Sequence, residues 1–297
     1  MSSEQDRRHC VACGSHDAKP LYRELVECAG CGLVYYARQL SADEERALYD
    51  EGYFKGAEYL DYLADRGAHE ANFRARVRQL SRWLPPQSRV FEIGCSYGLF
   101  LNLARKRWQA RGCDISTEPC HFAAQQLKLD VQCADFLDVP LGAGDVDAFC
   151  MWDTIEHLDR LEEYLDRVAQ ASNPGGLLAL TTGDIGSWLA RRQGPRWRQI
   201  HPPTHLWYFS VPTMRRMLGR FGFEAVDYRH VGIWRSVGAI LHGLTSVGRP
   251  PSWPLRICRR LGLDKWNVWL NTFDLMFVVA RRQAKSGEAL PLHRRAA

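Results

Sequence analysis

The sequence predicts an α/β fold in which a parallel sheet is covered by helices on both faces. Two observations lead to this prediction. At residues 90–104 a short apolar strand pattern is followed by a glycine turn and then by a helical pattern. Further strand-like segments follow, and most of them end at or beside an acidic residue. Ligands of open α/β sheets collect at the carboxyl ends of the strands, so these ends are the expected site.

The glycine turn is the most informative segment of the chain. Residues 90–98 read Val-Phe-Glu-Ile-Gly-Cys-Ser-Tyr-Gly, and the helical pattern begins at Leu99. Gly94 and Gly98 allow a ligand to lie against the backbone, because glycine has no Cβ and tolerates positive φ. The helix that starts here adds N–H groups without helical partners. Three-glycine nucleotide-binding loops follow the same logic, but this turn has Ser96 at the middle position.

The residues at the strand ends predict how a nucleoside is held. Asp114 lies 22 residues after Glu92, where an acid accepts hydrogen bonds from a ribose diol. Asp135 and Phe136 follow the third strand-like segment and are placed to hold the edge and the face of an adenine ring. The fourth segment leads into Asp153.

Together these segments resemble the class I S-adenosylmethionine-dependent methyltransferases. The matching pieces, in the family's order, are the Glu-Ile-Gly-Cys-Ser-Tyr-Gly loop, Asp114, Asp135, the Asp-Thr-Ile-Glu-His-Leu segment and the Pro-Gly-Gly strand entry. The resemblance covers residues 80–231 and implies a Rossmann-like seven-stranded sheet with S-adenosylmethionine as cofactor. It implies that the cofactor is bound by Glu92, Gly94, Cys95, Ser96, Gly98, Asp114, Ile115, Asp135, Phe136, Trp152 and Asp153. The last two strands, the final one antiparallel, extend the expected domain over 85–283.

Four cysteines near the N-terminus predict a zinc ribbon over residues 1–40. Cys10 and Cys13 form one Cys-x-x-Cys pair, and Cys28 and Cys31 form another. Four thiolates around Zn²⁺ make a closed tetrahedral site, which is structural and not catalytic. A redox motif and a set of unrelated buried thiols are the alternatives. We expect this module to pack on the catalytic domain or to contact a partner.

Residues 41–84 are predicted to be a helical lid or linker. With the cysteine head, a Tyr-Asp-x-x-Tyr-Phe segment and a later His-Leu-Trp-Tyr-Phe-Ser segment, the chain resembles a bacterial subgroup of these enzymes. Members of that subgroup often modify sugars, glycans or other small molecules. The resemblance implies that Tyr53 and Phe54 fold over the cofactor; a purely structural role is the alternative.

The methyl-transfer chemistry requires an aligned acceptor and, in some cases, a base that takes its proton. His157, His205 and then Tyr208 are the candidate catalytic residues, in that order; packing or helix capping is the alternative for each. The trio of Asp153, Glu156 and His157 also resembles a divalent-metal site of the ubiquinone-pathway O-methyltransferases. Spaced i, i+3 and i+4, these side chains would share one face of a helix.

Charge is distributed unevenly along the chain. The net charge is −2 for residues 1–84, −6 for 85–182 and +13 for 183–297. This asymmetry favours an anionic partner, such as a diphosphate sugar, an anionic lipid surface or nucleic acid, although a solvated basic surface is the alternative. The candidate phosphate-binding residues are Arg191, Arg192, Arg196 and Arg198, with a disordered basic loop as the alternative.

An insertion at 233–270 is predicted to contain two helices rich in tryptophan and arginine. It could rest on a membrane as a peripheral contact, cover the acceptor or pack on the core. The last residues, 284–297, are expected to be a disordered tail.

Composition indicates the cellular compartment in which the protein is expected. The chain has 297 residues and ten cysteines, with neither a signal-peptide pattern nor an apolar run of membrane-spanning length. We therefore expect a cytoplasmic protein with thiols or metal sites.

The sequence thus predicts methyl transfer from S-adenosylmethionine to a hydroxyl of a small-molecule or sugar-type acceptor, with a phosphate-bearing or lipid-linked acceptor as one option. An RNA methyltransferase and a non-catalytic S-adenosylmethionine-binding scaffold are the alternatives. Nucleic acid is the less favoured partner, because no Asn/Asp-Pro-Pro-Tyr motif is present. The acceptor and the oligomeric state do not follow from the sequence.

Overall fold

A computed structural model describes residues 8–40, 44, 62–63, 65–245 and 252–283. The proposed lid residues Tyr53 and Phe54 and the predicted tail at 284–297 lie outside the described residues.

The elements are numbered in chain order. The strands are β1 (Ala18–Tyr22), β2 (Leu25–Cys28), β3 (Val34–Tyr36), β4 (Arg89–Ile93), β5 (Gln109–Asp114), β6 (Asp130–Cys133), β7 (Val146–Trp152), β8 (Ser172–Gly183), β9 (Trp207–Tyr208), β10 (Phe223–His230), β11 (Ile233–Ser236), β12 (Asn267–Leu270) and β13 (Leu275–Arg282). The helices are α1 (Arg66–Leu80), α2 (Leu99–Ala104), α3 (Thr117–Gln125), α4 (Leu161–Ala171), α5 (Trp188–Gln193), α6 (Val211–Arg220), α7 (Val237–Thr245) and α8 (Trp253–Arg260).

A seven-stranded sheet forms the centre of the fold, in the order β10-β13-β8-β7-β4-β5-β6. The pairs from β8 to β6 are parallel, and β13 is antiparallel to both of its neighbours. The predicted fold class, including the antiparallel final strand, is therefore confirmed. All strands except β13 end at one edge of this sheet, which we call the carboxyl edge.

Burial on both faces explains why the central strands are continuously apolar. Ala148, Phe149, Cys150 and Met151 in β7 are all completely buried, as expected for a parallel sheet covered by helices. Helix α4 covers one face with apolar residues at i, i+3, i+4 and i+7 spacing, namely Leu161, Tyr164, Leu165 and Val168.

A second sheet joins the N-terminal segment to the rest of the chain. Its order is β1-β2-β3-β9, so its fourth strand comes from Trp207 and Tyr208, outside the predicted 1–40 module. The Arg8 guanidinium is buried over the Trp207 ring and forms an ion pair with the buried Asp159. The cysteine module thus packs on the rest of the chain through one shared strand, β9, and a buried charge pair.

The insertion at 233–270 contains the two predicted helices, α7 and α8, and also a strand pair that the sequence did not predict. Strands β11 and β12 are antiparallel, with Trp234 opposite Trp269. The Asn72 side chain of α1 binds both the N–H (2.7 Å) and the C=O (2.9 Å) of Trp234, which ties this pair to the domain. Within the described residues, the helices are too short or too polar to cross a membrane.

Candidate functional site

A cavity of about 540 Å³ opens at the carboxyl edge, above the ends of β4, β5, β6 and β7. Of the eleven core residues predicted to bind a cofactor, all but Gly98 line it. The other lining residues are Tyr62, Phe73, Ile93, Cys113, Ser116, Ala134, Asp138, Thr154, His157, Leu158, Arg160 and Tyr164. The cavity has the size of a small-molecule site.

The glycine turn forms the floor of this cavity. Gly94, Ser96 and Gly98 all have positive φ, at 74°, 47° and 69°. A Cβ on Gly94 would lie 2.6 Å from the Thr154 Cγ2, and one on Gly98 would lie 2.5 Å from the Leu129 Cδ1. The turn therefore needs glycine at both ends, while Ser96 adopts the left-handed conformation at a cost of about 1–3 kcal/mol.

Glu92 places a buried carboxylate at the cavity wall. It is 2% exposed, and its Oε2 accepts no hydrogen bond from the residues that the structure describes. Burial, with a smaller contribution from Asp114, raises the pKa of Glu92 well above its ordinary value. A buried polar atom of this kind is costly unless a ligand satisfies it.

Asp114 is oriented by the backbone around it. Its Oδ2 accepts a hydrogen bond from the Ser96 N–H at 2.7 Å, and its Oδ1 accepts one from the Ser116 N–H at 2.8 Å. Burial raises the pKa of Asp114, and the two N–H groups act in the opposite direction. Each oxygen retains a further lone pair, so the carboxylate can also accept from a diol.

Asp135 is held by three groups, two of which the sequence did not suggest. It accepts from the Leu137 N–H at 2.8 Å, the Tyr164 hydroxyl at 2.7 Å and the Arg160 guanidinium at 2.6 Å. Phe136 beside it is almost fully buried. Arg160 and Tyr164 precede and begin α4, and no spacing pattern links them to the end of β6.

The end of β7 brings a tryptophan and a strained acid into the cavity. The Trp152 Nε1 is buried and donates no hydrogen bond to any described residue. Asp153 has a φ of 52° and is exposed to the cavity, while its N–H donates to the Thr181 carbonyl at 3.0 Å. The protein around the cavity partly desolvates the Asp153 carboxylate and so raises its pKa, although the charge of Arg76 on α1 opposes this. Burial lowers the pKa of Arg76 to about 10. Arg76 is a further group that sequence reasoning missed.

Of the three candidate catalytic residues, only His157 lines the cavity. Its Nδ1 lies 2.8 Å from the Thr204 carbonyl oxygen, and desolvation by burial lowers its pKa to about 4. His205 packs behind it with ring centroids 4.5 Å apart and is buried. Tyr208 is also buried, and its hydroxyl donates to the His205 carbonyl at 3.0 Å.

The predicted metal trio of Asp153, Glu156 and His157 is not assembled. Residues 155–157 form a single 3₁₀ turn, and Asp153 lies outside it in the left-handed region, so the helical spacing does not hold. Among the described residues, the ligand atoms that come within 4.8 Å of one another here belong to Glu156, His157 and His205.

The four predicted phosphate-binding arginines lie outside the cavity. Arg191 and Arg192 are in α5, and Arg196 ends a 3₁₀ turn, so the segment is not an irregular loop. Arg198 forms an ion pair with the buried Asp274 at 3.3 Å. Three of the four, all except Arg198, form no ion pair that the described residues show, and all four are exposed.

The four N-terminal cysteines form a cluster of ligand atoms within 4.8 Å of one another. The Sγ atoms of Cys10 and Cys31 are 3.4 Å apart, and those of Cys13 and Cys28 are 3.5 Å apart. These distances exclude disulfide bonds, whose sulfur atoms are about 2.05 Å apart.

Known proteins resemble this chain over the region that forms the cavity. The family model described as a methyltransferase domain matches residues 62–228, more than half of the chain. A chain of the complex between the Haloferax volcanii Trm112 methyltransferase activator and a methyltransferase is similar, with 17% identity and a TM-score of 0.55, over 82% of this chain and 100% of that chain. The YcgJ protein from Bacillus subtilis has 13% identity and a TM-score of 0.52, over 73% of this chain and 100% of that chain.

A SAM-dependent methyltransferase from Thermotoga maritima has 18% identity and a TM-score of 0.49, over 80% of this chain and 98% of that chain. At these identities the Haloferax volcanii and Bacillus subtilis structures indicate the fold alone. No curated protein matches the chain significantly. The match to the family model extends over the glycine turn, the strand-end acids and the β7 end that line the cavity. The chain belongs to the methyltransferase-domain family and is an S-adenosylmethionine-dependent methyltransferase.

Proposed function

We propose that this enzyme transfers the methyl group to a hydroxyl of a small-molecule or sugar-type acceptor. The observation that carries the proposal is the pair of hydrogen-bond acceptors at the β7 end of the cavity, Asp153 and His157. A carboxylate and a neutral imidazole complement the O–H donor of a hydroxyl. Asp153 and His157 line the same cavity as Asp114 and Asp135, the acids proposed to hold the cofactor.

The cofactor half of the cavity fits S-adenosylmethionine. When bound, S-adenosylmethionine supplies a methyl group that its sulfonium has already activated. Asp114 would hold the ribose diol, and Asp135 would lie at the adenine. The buried Oε2 of Glu92 and the buried Nε1 of Trp152 each have no partner in the described part of the chain. One is an acceptor and the other a donor, so a polar ligand can satisfy both.

In the part of the cavity at the end of β7, where we place the acceptor, we assign His157 the role of base. The Thr204 carbonyl accepts a hydrogen bond from Nδ1, so Nδ1 carries the proton and Nε2 is the basic nitrogen. Nε2 would take up the hydroxyl proton as the acceptor oxygen is methylated, and His205 would support the ring from behind. Because its pKa of about 4 lies well below neutrality, His157 is already unprotonated at pH 7.

The exposed arginines support a phosphate-bearing acceptor. Arg191, Arg192 and Arg196 lie between β8 and β9, on the chain segment that leaves the carboxyl edge. Guanidinium groups bind phosphate oxygens in bidentate fashion. Binding of a diphosphate sugar that weakens in the Arg191→Gln/Arg192→Gln/Arg196→Gln variant would support this assignment.

Calorimetric titration with S-adenosylhomocysteine tests the cofactor site. We expect Asp114→Ala to weaken binding about 10- to 100-fold, since hydrogen bonds to charged groups contribute about 1.5–3 kcal/mol each. Asp114→Asn keeps the shape of the side chain, so its affinity is expected to lie between those of wild type and Asp114→Ala. Asp166→Ala, an exposed acid on α4, is the matched control. Equal affinity in all four proteins would contradict the assignment of the cavity.

Methyl transfer from labelled S-adenosylmethionine tests the acceptor class. Purified enzyme is offered polyols, nucleotide sugars and total RNA, with wild type compared with His157→Ala. We expect label on a hydroxyl of a sugar or small molecule, with turnover lower in His157→Ala and cofactor affinity retained. Label on RNA alone, or no turnover on any acceptor with intact cofactor binding, would refute the proposal.

We also propose that Cys10, Cys13, Cys28 and Cys31 bind one structural Zn²⁺. Zn–S bonds of about 2.3 Å place tetrahedral sulfur atoms about 3.8 Å apart, close to the observed separations. Gly14, with a φ of 74°, follows the first pair and lets its N–H donate to the Cys10 carbonyl at 2.7 Å.

Metal analysis of the purified chain tests the zinc proposal. We expect about one zinc per chain, and a lower melting temperature after chelation or in Cys10→Ser. Cys133→Ser, which changes an exposed cysteine outside the cluster, should retain the metal. A metal-free chain with an unchanged melting temperature after chelation would refute the assignment.

A further inference from the structure

The outer side of α8 exposes a stripe of three large apolar side chains. Trp253, Ile257 and Leu261 are 68%, 51% and 65% exposed. Trp253 and Ile257 lie in α8, and Leu261 follows its last residue in right-handed helical conformation. The i, i+4 intervals therefore place all three side chains on one face. On the other side, Leu255 and Cys258 are buried, and α7 is an element against which α8 packs. The helix is thus anchored on one face and presents apolar side chains on another.

Three arginines border this stripe. The helix reads Trp-Pro-Leu-Arg-Ile-Cys-Arg-Arg and contains no acidic residue. At about 100° per residue, Arg256, Arg259 and Arg260 occupy the arc between the buried side and the stripe. All three are exposed. An apolar stripe beside a cationic arc is the pattern of a helix that lies in a membrane interface.

The neighbouring strand pair adds exposed aromatic rings on an ordered backbone. Trp266 and Trp269 are 66% and 51% exposed, and Trp269 lies opposite Trp234. The carbonyl of Trp266, the residue before β12, accepts from the Val237 N–H at 2.8 Å, which joins this end of the strand pair to the start of α7. Tryptophan is enriched at membrane–water interfaces because it is amphipathic.

We propose that this face of the insertion docks the enzyme on an anionic lipid surface. Cations beside the stripe attract anionic headgroups, and the +13 charge of residues 183–297 acts in the same direction. Self-association through the stripe would bring the arginines of two copies together. Single-stranded nucleic acid would stack on aromatic rings, but Ile257 and Leu261 offer none. An anionic lipid surface offers acyl chains to the apolar stripe and anionic headgroups to the arginines.

Co-sedimentation of the full chain with vesicles tests this proposal. Phosphatidylcholine vesicles are compared with vesicles of phosphatidylcholine and phosphatidylglycerol at a ratio of 7:3. About a tenfold gain in affinity accompanies each 1.4 kcal/mol, and each basic residue near an anionic surface contributes about 1 kcal/mol. We therefore expect binding to the anionic vesicles on the order of 100-fold stronger than to the neutral ones, falling as salt is raised.

Two variants separate the apolar and the cationic contributions. Trp253→Ser/Ile257→Ser/Leu261→Ser should abolish binding to the anionic vesicles. Arg256→Gln/Arg259→Gln/Arg260→Gln should reduce the difference between the two vesicle types to a few-fold. The matched controls are Leu21→Ser, another exposed apolar residue, and Arg78→Gln/Arg82→Gln/Lys106→Gln, which removes equal charge elsewhere.

Binding of S-adenosylhomocysteine, measured on every variant, reports that the domain is folded. The proposal is overturned if the wild-type chain ignores anionic vesicles or if the serine variant binds them as well as wild type. It is also overturned if the wild-type chain is a dimer and the serine variant is a monomer, since a second copy would then cover the stripe. None of these outcomes depends on which acceptor the enzyme methylates.

Discussion

Substituting Gly94 by alanine should destabilise the protein through two separable effects. Gly94 has a φ of 74°, and left-handed backbone costs a non-glycine residue about 1–2 kcal/mol. The added Cβ would also lie 2.6 Å from the Thr154 Cγ2 and 2.8 Å from its Oγ1. Overpacking of this kind costs about 1–3 kcal/mol. We therefore expect Gly94→Ala to lower the free energy of unfolding by about 2–5 kcal/mol.

A double-mutant cycle with Thr154→Ala separates the steric part from the backbone part. Alanine at 154 removes both close atoms and leaves its Cβ 3.3 Å from the new methyl group. On its own, Thr154→Ala should lower the free energy of unfolding by about 1 kcal/mol, because it removes the hydroxyl that donates a hydrogen bond to the Trp152 carbonyl. In the double variant we expect a recovery of about 1–3 kcal/mol relative to the sum of the single changes.

Urea unfolding followed by circular dichroism measures all four proteins of the cycle. Gly219→Ala is the control, because a Cβ at this position in α6 meets nothing within 4 Å and alanine favours helix by about 1 kcal/mol. That variant should be slightly stabilised. A coupling energy near zero between positions 94 and 154 would refute the steric reasoning, and an unchanged stability of Gly94→Ala would refute the backbone reasoning as well.

Two further predictions concern buried charge. The pKa of His157 is about 4 in the folded chain and about 6.5 when unfolded, so the unfolded chain binds an extra proton between these pH values. The contribution of His157 to stability should therefore fall by at most about 3 kcal/mol as the pH drops from 6.5 to 4 and should be constant above 6.5. In urea titrations, the stability of His157→Gln should depend less steeply on pH over this range than that of wild type; an identical pH profile would contradict this. Arg8→Ala leaves the buried Asp159 unpaired and should cost about 3–5 kcal/mol, whereas Arg74→Ala, which breaks an exposed pair with Glu70, should cost less than about 1 kcal/mol. Equal losses in thermal or urea unfolding would show that the Arg8 pair does not anchor the cysteine module.

Several parts of the site were predictable because their signals are local. The strand–glycine–helix junction depends on backbone conformations that only a few residue types adopt, and Gly94 and Gly98 mark them directly. Acids that follow apolar strands must meet at one edge of a parallel sheet, so Glu92, Asp114 and Asp135 converge whatever the rest of the chain does. Their roles as cofactor ligands stay predictions until binding is measured.

Other features depend on contacts between residues far apart in sequence. The two-residue strand β9 is too short to carry a periodic signal, and it exists because β3 offers it a free edge. Arg76, on α1, lies with its guanidinium over the Phe277 ring of β13, and its charge opposes the burial that raises the pKa of Asp153. The metal trio predicted from helical spacing fails because Asp153 leaves the strand with positive φ.

The sequence by itself determined the sheet, the glycine turn and the set of strand-end acids, because each follows from local periodicity or from the backbone limits of single residues. It also determined the paired spacing of the four cysteines. The tertiary structure alone decided which groups complete the site: Arg160 and Tyr164 on Asp135, and His205 behind His157. It also decided that α8 turns Trp253, Ile257 and Leu261 outward, because a helix buries whichever face its neighbours leave room for, and the sequence of α8 offers two apolar sides.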